Sequence, residues 1–240
     1  MNRLLKMGVA LLTKVIAWLL LGLTVRDREQ LPAQGPAILV ANHNSHLDAL
    51  ALIALYPLAM APQLRPVANE HYFLGQNRYL AWFARHVLDI IPVACQPTPK
   101  DSDRPYRTFL QQCDAALARR QILILFPEGS RGRAGQLSPF HSGVAHLAKR
   151  HPTVPIVPIW LQGFGKAMPK GDFLLVPFVC SVAIRPAMTW NGNKQAFIRE
   201  LRSRLLTVAP ASHCSSPLGE LTTLVFPNQL EQADEPRSPR

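Results

Sequence analysis

The chain has 240 residues, enough for one sizeable α/β domain and too few for two comfortable ones. Hydrophobic residues make up 48% of it, which excludes a chain that is disordered throughout. The formal net charge of +11 predicts a basic surface that attracts an anionic partner: nucleic acid, anionic lipid head groups or phosphorylated small molecules.

The N-terminal segment is the first predicted element. Met7–Leu23 is almost wholly apolar and is broken only by Lys14, whereas about 20 apolar residues are usual for crossing a bilayer. Basic residues flank the segment: Arg3, Lys6, Arg26 and Arg28. We interpret residues 1–25 as a membrane-associated helix that lies in or partly enters the interface, with Lys14 snorkelling to the head groups and Trp18 near the boundary. The alternative is a buried helix of a soluble core.

Residues 26–207 alternate between predicted strands and helices. Apolar runs bounded by turn formers predict strands at 36–41, 66–68, 89–93, 121–126, 154–160 and within 173–184. Helical periodicity predicts helices from near 45, and at 79–87, 103–120, 143–149 and 195–206. This alternation indicates one α/β domain whose mixed, mostly parallel sheet is covered by helices. Residues 208–240 mix Pro, Ser and acidic residues and are predicted to be a flexible tail.

The first candidate site is the segment Asn42–Asp48, where the strand at 36–41 gives way to a helix. If His43 precedes the helix and Asp48 lies in its first turn, with Ser45 as the N-cap, the Asp48 carboxylate reaches back to imidazole Nδ1. That contact fixes the tautomer and leaves Nε2 as an acceptor, which is the arrangement of a general base. The alternative is a plain capping box beside a loop histidine.

The second candidate site is Phe126–Gly132, directly after the strand at 121–126. Its two glycines allow the backbone to approach a ligand closely, and Arg131 can bind phosphate or carboxylate. Alone, the segment is more typical of a surface turn with a solvated arginine.

In combination these motifs are specific. NHNSHLD at 42–48, FPEGSRG at 126–132, LSPFHSG at 137–143 and VPIVPI at 154–159 resemble, in order and spacing, the glycerolipid acyltransferase family, the 1-acyl-sn-glycerol-3-phosphate acyltransferases and their relatives. The resemblance covers about 31–186 and identifies 26–207 as an acyltransferase domain.

The resemblance implies an O-acyltransferase that moves a fatty acyl group from acyl-CoA or acyl carrier protein to a lysolipid hydroxyl. His43 and Asp48 are then catalytic, and the substrate-binding residues are Glu128, Gly129, Ser130, Arg131 and His141. It implies no bound cofactor and no metal; the thioester is a co-substrate. The expected partners are the donor, the lysolipid acceptor and anionic membrane lipids, at the cytoplasmic face of a membrane.

Two departures from the family pattern bear on the acceptor. The family usually has an arginine soon after the strand at 89–93, where this chain continues Ala94-Cys95-Gln96, and it often has a lysine at the position of His141. Both positions are associated with a phosphate on the acceptor, and Arg85, Arg131 or Arg133 are candidates to compensate. The expected acceptor is 1-acyl-sn-glycerol-3-phosphate, giving phosphatidic acid. A lysophospholipid or a lyso-ornithine lipid is the alternative.

Two rival functions belong to other classes. A non-catalytic, basic membrane-surface module predicts decay of His43 or Asp48, and both are present. A nucleic-acid binder is suggested by the charge, but the cations are spread along the chain without aromatic-basic interleaving, so no nucleic-acid partner is expected. The remaining histidines show no metal-ligand spacing, and the four cysteines form no C-x-x-C pair. His46 is the nearest competitor to His43 as the base.

Overall fold

The computed structural model describes residues 3–69, 78–93, 104–133, 135–168 and 175–207. These residues contain a seven-stranded sheet in the order β1-β7-β6-β2-β5-β3-β4. The strands are β1 Thr24–Arg26, β2 Ala37–Ala41, β3 Leu64–Asn69, β4 Ile91–Val93, β5 Ile122–Leu125, β6 Ile156–Gln162 and β7 Ser181–Ile184. Neighbouring strands from β6 to β4 run parallel, and only the β6–β7 pair is antiparallel. The predicted mixed, mostly parallel α/β sheet is therefore confirmed.

Helices cover both faces of this sheet. They are α1 Arg3–Leu19, α2 Leu47–Ala54, α3 Arg78–Phe83, α4 Arg104–Ala118, α5 Gly143–Arg150, α6 Phe164–Ala167 and α7 Lys194–Leu206. Short 3-10 segments lie at Arg28–Gln30 and Leu58–Gln63, and a π-helical turn, Ala84–Leu88, follows α3. The predicted tail at 208–240 and the segment Ala94-Cys95-Gln96 lie outside the described residues.

The central strands β2 and β5 explain why apolar runs without alternation form this sheet. All five residues of β2 and all four of β5 are buried. Alternate side chains enter two separate cores: Leu39 and Ile124 pack with α1 and α2, whereas Ile38 and Leu123 pack with α4, α5 and α7. A strand covered on both faces buries every side chain, so the sequence shows a continuous apolar run.

Two strand predictions need correction. Within the run at 173–184, the described residues begin at 175: residues 175–180 have no regular structure, and β7 follows them. The short edge strand β1 was not predicted, and it lies across the predicted boundary at residue 25 between the N-terminal helix and the α/β domain. It forms because its backbone pairs in parallel with β7, a long-range contact that the local sequence does not reveal.

Helix α1 is amphipathic, but its large apolar side chains face outward and its small or polar side chains face the core. Its inward face carries small or polar side chains, Lys6, Ala10, Thr13 and Ala17, which are buried. Its outward face is apolar, with Leu4 79% and Leu19 78% exposed, and it also includes Leu11, Leu12, Val15 and Trp18. Within the described residues, no helix has the length and apolarity needed to cross a membrane.

The buried face of α1 explains its docking and corrects one expectation. The Nζ of Lys6 donates to the carbonyl oxygens of Leu64 at 2.5 Å and Leu88 at 2.9 Å. Lys14 was expected to snorkel outward, but its Nζ lies 3.3 Å from the carbonyl oxygen of Tyr56, to which it donates. The helix ends at Leu19, and the chain enters the sheet at Thr24, earlier than the predicted boundary at residue 25.

Candidate active site

The carboxylate of Asp48 is the centre of the first loop. Asp48 is fully buried in the first turn of α2, and His43 lies in the loop between β2 and α2. His43 Nδ1 and Asp48 Oδ2 are 2.9 Å apart. Oδ2 also accepts from the backbone N–H groups of Asn44 at 2.6 Å and Ser45 at 2.8 Å. The contact predicted from the five-residue spacing is confirmed, although the catalytic roles stay predictions.

Local backbone geometry brings His43 and Asp48 together. The helix begins at Leu47, one residue later than a Ser45 N-cap requires, so His46 is the residue that flanks it. Asp48 still bonds back to the Ser45 N–H, which is the acidic half of a capping box. The Ser45 hydroxyl donates to the carbonyl of Met168 at 2.9 Å and accepts from the N–H of Leu47. Ser45 is thus engaged in holding the loop.

The second loop, residues 126–132, also contacts His43. β5 lies beside β2 in parallel register, so the loops after both strands meet at the same edge of the sheet. The backbone N–H of His43 donates to Glu128 Oε1 at 2.9 Å, and the His43 carbonyl accepts from the N–H of Gly132 at 2.9 Å. The ring of Phe126 stacks on the imidazole with centroids 4.2 Å apart. Main chain and ring of His43 are therefore both fixed.

Glu128 occupies a different position from the one its predicted role implies. Its side chain is buried, and its Oε2 accepts from the backbone N–H of Ser138 at 2.8 Å while Oε1 holds His43. It is not among the described residues that line the cleft beside His43. Binding of an acceptor by Glu128 stays a prediction, but the structure gives its carboxylate a bracing contact with two neighbouring segments.

The other predicted binding residues divide into two groups. Gly129, Ser130 and Arg131 line the cleft, whereas His141 is exposed and outside the described lining. The His141 ring lies against Gly129, because a Cβ added to that glycine would come 2.7 Å from His141 Cδ2. Gly129 also has a φ of +69°, which favours glycine.

A cleft of about 220 Å³ opens beside the imidazole of His43. One end is polar and holds His43, His46, Ser130 and Arg131. Its walls are mostly apolar and come from β3, from the π-helical turn, from the end of β4 and from the link between these last two: Pro66, Val67, Ala68, Leu88, Ile90 and Val93. The imidazole of His43 thus lines a cleft whose other walls are mostly apolar.

His46 is the residue whose part in this site the sequence interpretation missed. Its Nε2 contacts an Nη of Arg131, 85 residues further along the chain. Burial, together with the charge of Arg131 and the nearby His43, lowers the pKa of His46 to about 4. Its proximity to His43 could have been predicted, because it directly precedes α2. Its contact with Arg131 could not, because nothing in the local sequence indicates it.

The candidate compensating cations are not all in the cleft. Arg131 lines it, whereas Arg85 and Arg133 are exposed and are not among the described lining residues. The positions that differ from the family after β4, residues 94–96, lie outside the described residues.

Together, the fold and the site define an α/β protein with an aspartate-held imidazole at the polar end of an apolar cleft. Residues 22–162 match the family model described as Acyltransferase. This match spans more than half of the chain, and the chain belongs to the Acyltransferase family.

Curated relatives agree with this membership, and a solved structure has a similar fold. The chain is 30% identical over 187 residues to a 1-acyl-sn-glycerol-3-phosphate acyltransferase of Limnanthes douglasii, covering 76% of this chain and 62% of that protein. It is 26% identical to the alpha form of the enzyme of that name from Bos taurus, covering 77% and 61%. The chain thus spans less than two thirds of these relatives. The fold resembles the crystal structure of PlsC, the 1-acyl-sn-glycerophosphate acyltransferase of Thermotoga maritima, with a TM-score of 0.65, 20% identity, and 83% and 76% of the two chains covered.

Proposed function

We propose that this chain transfers a fatty acyl group from acyl-CoA or acyl carrier protein to the hydroxyl of a lysolipid, with 1-acyl-sn-glycerol-3-phosphate as the acceptor and phosphatidic acid as the product. The observation that carries the proposal is the 2.9 Å contact between His43 Nδ1 and Asp48 Oδ2 at the mouth of an apolar cleft. The similarity to 1-acyl-sn-glycerol-3-phosphate acyltransferases supports the same acceptor.

In the proposed mechanism His43 is the general base. Asp48 holds the proton on Nδ1, so Nε2 takes the proton of the acceptor hydroxyl as its oxygen attacks the thioester carbonyl carbon. The tetrahedral intermediate collapses with cleavage of the C–S bond, and the imidazolium returns the proton to the leaving thiolate. The buried carboxylate stabilises the imidazolium between these steps. No covalent enzyme intermediate is required.

The two ends of the cleft suit the two parts of the reaction. The apolar walls from β3, β4 and the π-helical turn offer an acyl chain burial away from water. Arg131 at the polar end supplies the planar, permanently charged group that pairs with a phosphate. With this arrangement the thioester carbonyl carbon would lie between the fatty chain and the phosphate-bearing acceptor, beside Nε2.

The surface supports a location at the cytoplasmic face of a membrane, where thioester donors are found. Besides the outward apolar face of α1, the side chains of Val176, Phe178 and Val179 are exposed. That segment adjoins the end of α1, because the N–H of Cys180 donates to the carbonyl of Leu21 at 2.9 Å. Soluble monomers rarely expose a large contiguous apolar patch, and anionic lipid would attract the basic surface.

Release of donor thiol tests the proposed reaction. Wild-type protein, His43→Ala and Asp48→Asn are assayed with acyl-CoA and acyl carrier protein donors against lysophosphatidate, other lysophospholipids and a lyso-ornithine lipid. We expect acceptor-dependent thiol release that falls by about 10²–10⁴-fold in His43→Ala, the range of general-base catalysis. His86→Ala, an exposed histidine outside the cleft lining, is the matched control.

Each result decides a separate part of the proposal. Full turnover by His43→Ala would refute the mechanism. Turnover of a lyso-ornithine lipid or lysophospholipid, with none of lysophosphatidate, would replace the acceptor. The absence of thiol release with every acceptor would favour a non-catalytic membrane-surface module.

Vesicle flotation tests the membrane location. Leu12→Gln with Leu19→Gln should weaken binding to vesicles that contain phosphatidylglycerol, because both leucines lie on the exposed face of α1. Leu206→Gln is the control, since this exposed leucine lies on α7. Equal binding by wild type and the α1 variant would rule out α1 as the contact.

A further inference from the structure

Two imidazoles line the cleft, and the charged groups that they contact have opposite signs. That of His43 bonds to the buried Asp48 carboxylate, whereas Nε2 of His46 contacts the guanidinium of Arg131. A guanidinium only donates hydrogen bonds, so Nε2 of His46 must be the acceptor. His46 is therefore the neutral tautomer with its proton on Nδ1.

The surroundings of His46 keep it in that state. Burial lowers its pKa to about 4, and the positive charge of Arg131 and the proximity of His43 act in the same direction. At neutral pH the ring therefore remains an acceptor. It adds no positive charge beside His43, which itself becomes positively charged when it takes a proton.

Arg131 needs such a contact if it is to bind an anion in a fixed direction. Its neighbours are the exposed Ser130 and the half-buried Gly132, and an arginine side chain loses about 2 kcal/mol of rotamer entropy when it is immobilised. A contact already present before the acceptor arrives reduces the part of this cost that falls on binding. A neutral imidazole can provide it without neutralising the guanidinium.

We infer that His46 is a positioning residue that holds the Arg131 guanidinium toward the phosphate of the acceptor. This inference rests on the proposed function, because it takes the acceptor to be phosphate-bearing. The two histidines of the motif then have different roles: His43 acts on the hydroxyl, and His46 acts through Arg131.

Steady-state kinetics with two acceptors that differ only in the phosphate test this role. With lysophosphatidate, His46→Ala should raise the acceptor KM about tenfold, the loss of one hydrogen bond to a charged group, and leave kcat within about twofold. With monoacylglycerol the same variant should behave as wild type. His46→Gln, whose side-chain oxygen can accept from the guanidinium, should restore most of the affinity. His86→Ala is the matched control.

Two kinetic outcomes would overturn the inference. One is an unchanged KM for lysophosphatidate in His46→Ala. The other is an equal rise with both acceptors, which would indicate a general disturbance of the cleft. Thermal melting of each variant separates such a disturbance from the loss of a contact.

A measurement without turnover separates this inference from the proposed function. Nitrogen-15 NMR of labelled histidine in the full chain should show His46 neutral and unprotonated at Nε2 through mildly acidic pH. Its signal should change in Arg131→Ala. A His46 that gains a proton near its ordinary pKa, or that does not respond to Arg131→Ala, would overturn the inference whatever acceptor the enzyme uses.

Discussion

Replacing Glu128 tests whether this residue braces the site or binds the acceptor. Its two carboxylate oxygens accept from the backbone N–H groups of His43 and Ser138, at 2.9 Å and 2.8 Å. Glu128→Ala removes both acceptors, whereas Glu128→Gln keeps one oxygen and turns the other into a donor that faces an N–H. The alanine variant should therefore be the more damaged of the two.

The magnitude follows from the two donors that are left without an acceptor. A buried unsatisfied donor costs about 1–3 kcal/mol, so Glu128→Ala should lose about 4 kcal/mol and Glu128→Gln about half of that. For a chain of this size each kcal/mol lowers Tm by about 2–4 °C, which gives a fall of roughly 10 °C for the alanine variant. The main chain of His43 loses one anchor, and a displacement near 1 Å costs about 10²-fold in rate.

Thermal melting and thiol-release kinetics together measure this prediction. We expect kcat to fall with Tm in the order wild type, Glu128→Gln, Glu128→Ala, with the acceptor KM changed by less than about threefold. Glu200→Ala is the matched control, because Glu200 lies on α7 and its contact with Arg204 is a surface i,i+4 pair worth about 0.3–0.5 kcal/mol. A raised acceptor KM in Glu128→Ala, with Tm and kcat unchanged, would refute bracing and support direct binding.

Three further substitutions probe other contacts. Gly129→Ala should lose about 1–2 kcal/mol for its positive φ, plus the cost of contact with His141, and His141→Ala should recover the second part in a double-mutant cycle of melting. Ser45→Ala should keep turnover and lose about 1 kcal/mol, because its hydroxyl holds Met168, and intact-mass analysis should find no acylated protein. Burial lowers the pKa of Lys6 from 10.5 to about 8, so the unfolded chain binds more protons between these values. Wild type should therefore gain stability over Lys6→Met as pH rises through this window, as measured by urea unfolding on either side of it.

The parts of the fold that could be predicted are those whose cause is local. β2 and β5 are continuous apolar runs because each is buried on both faces, and periodicity alone indicates this. The contact of His43 with Asp48 could be predicted because a loop residue and a first-turn carboxylate five positions apart are neighbours in the chain, although the loop at 126–132 also holds His43.

The features that escaped prediction depend on distant segments. β1 forms through its pairing with β7, more than 150 residues away along the chain. Likewise, the buried position of Glu128 depends on Ser138 and His43, and the contact of His46 depends on Arg131. For α1 the apolar composition left two alternatives, an interfacial helix and a buried helix, because the sequence does not tell which side of a helix the rest of the fold covers.

The interlock between the two loops has a consequence for how such an enzyme can change its substrate. Glu128 and Gly132 tie the second loop to the backbone of His43, and Ser130 and Arg131 lie between these two ties. Residues 130 and 131 can therefore be exchanged while the base keeps its place. Natural divergence or directed evolution toward another head group would act on this short span, and the chemistry of acyl transfer would be inherited unaltered.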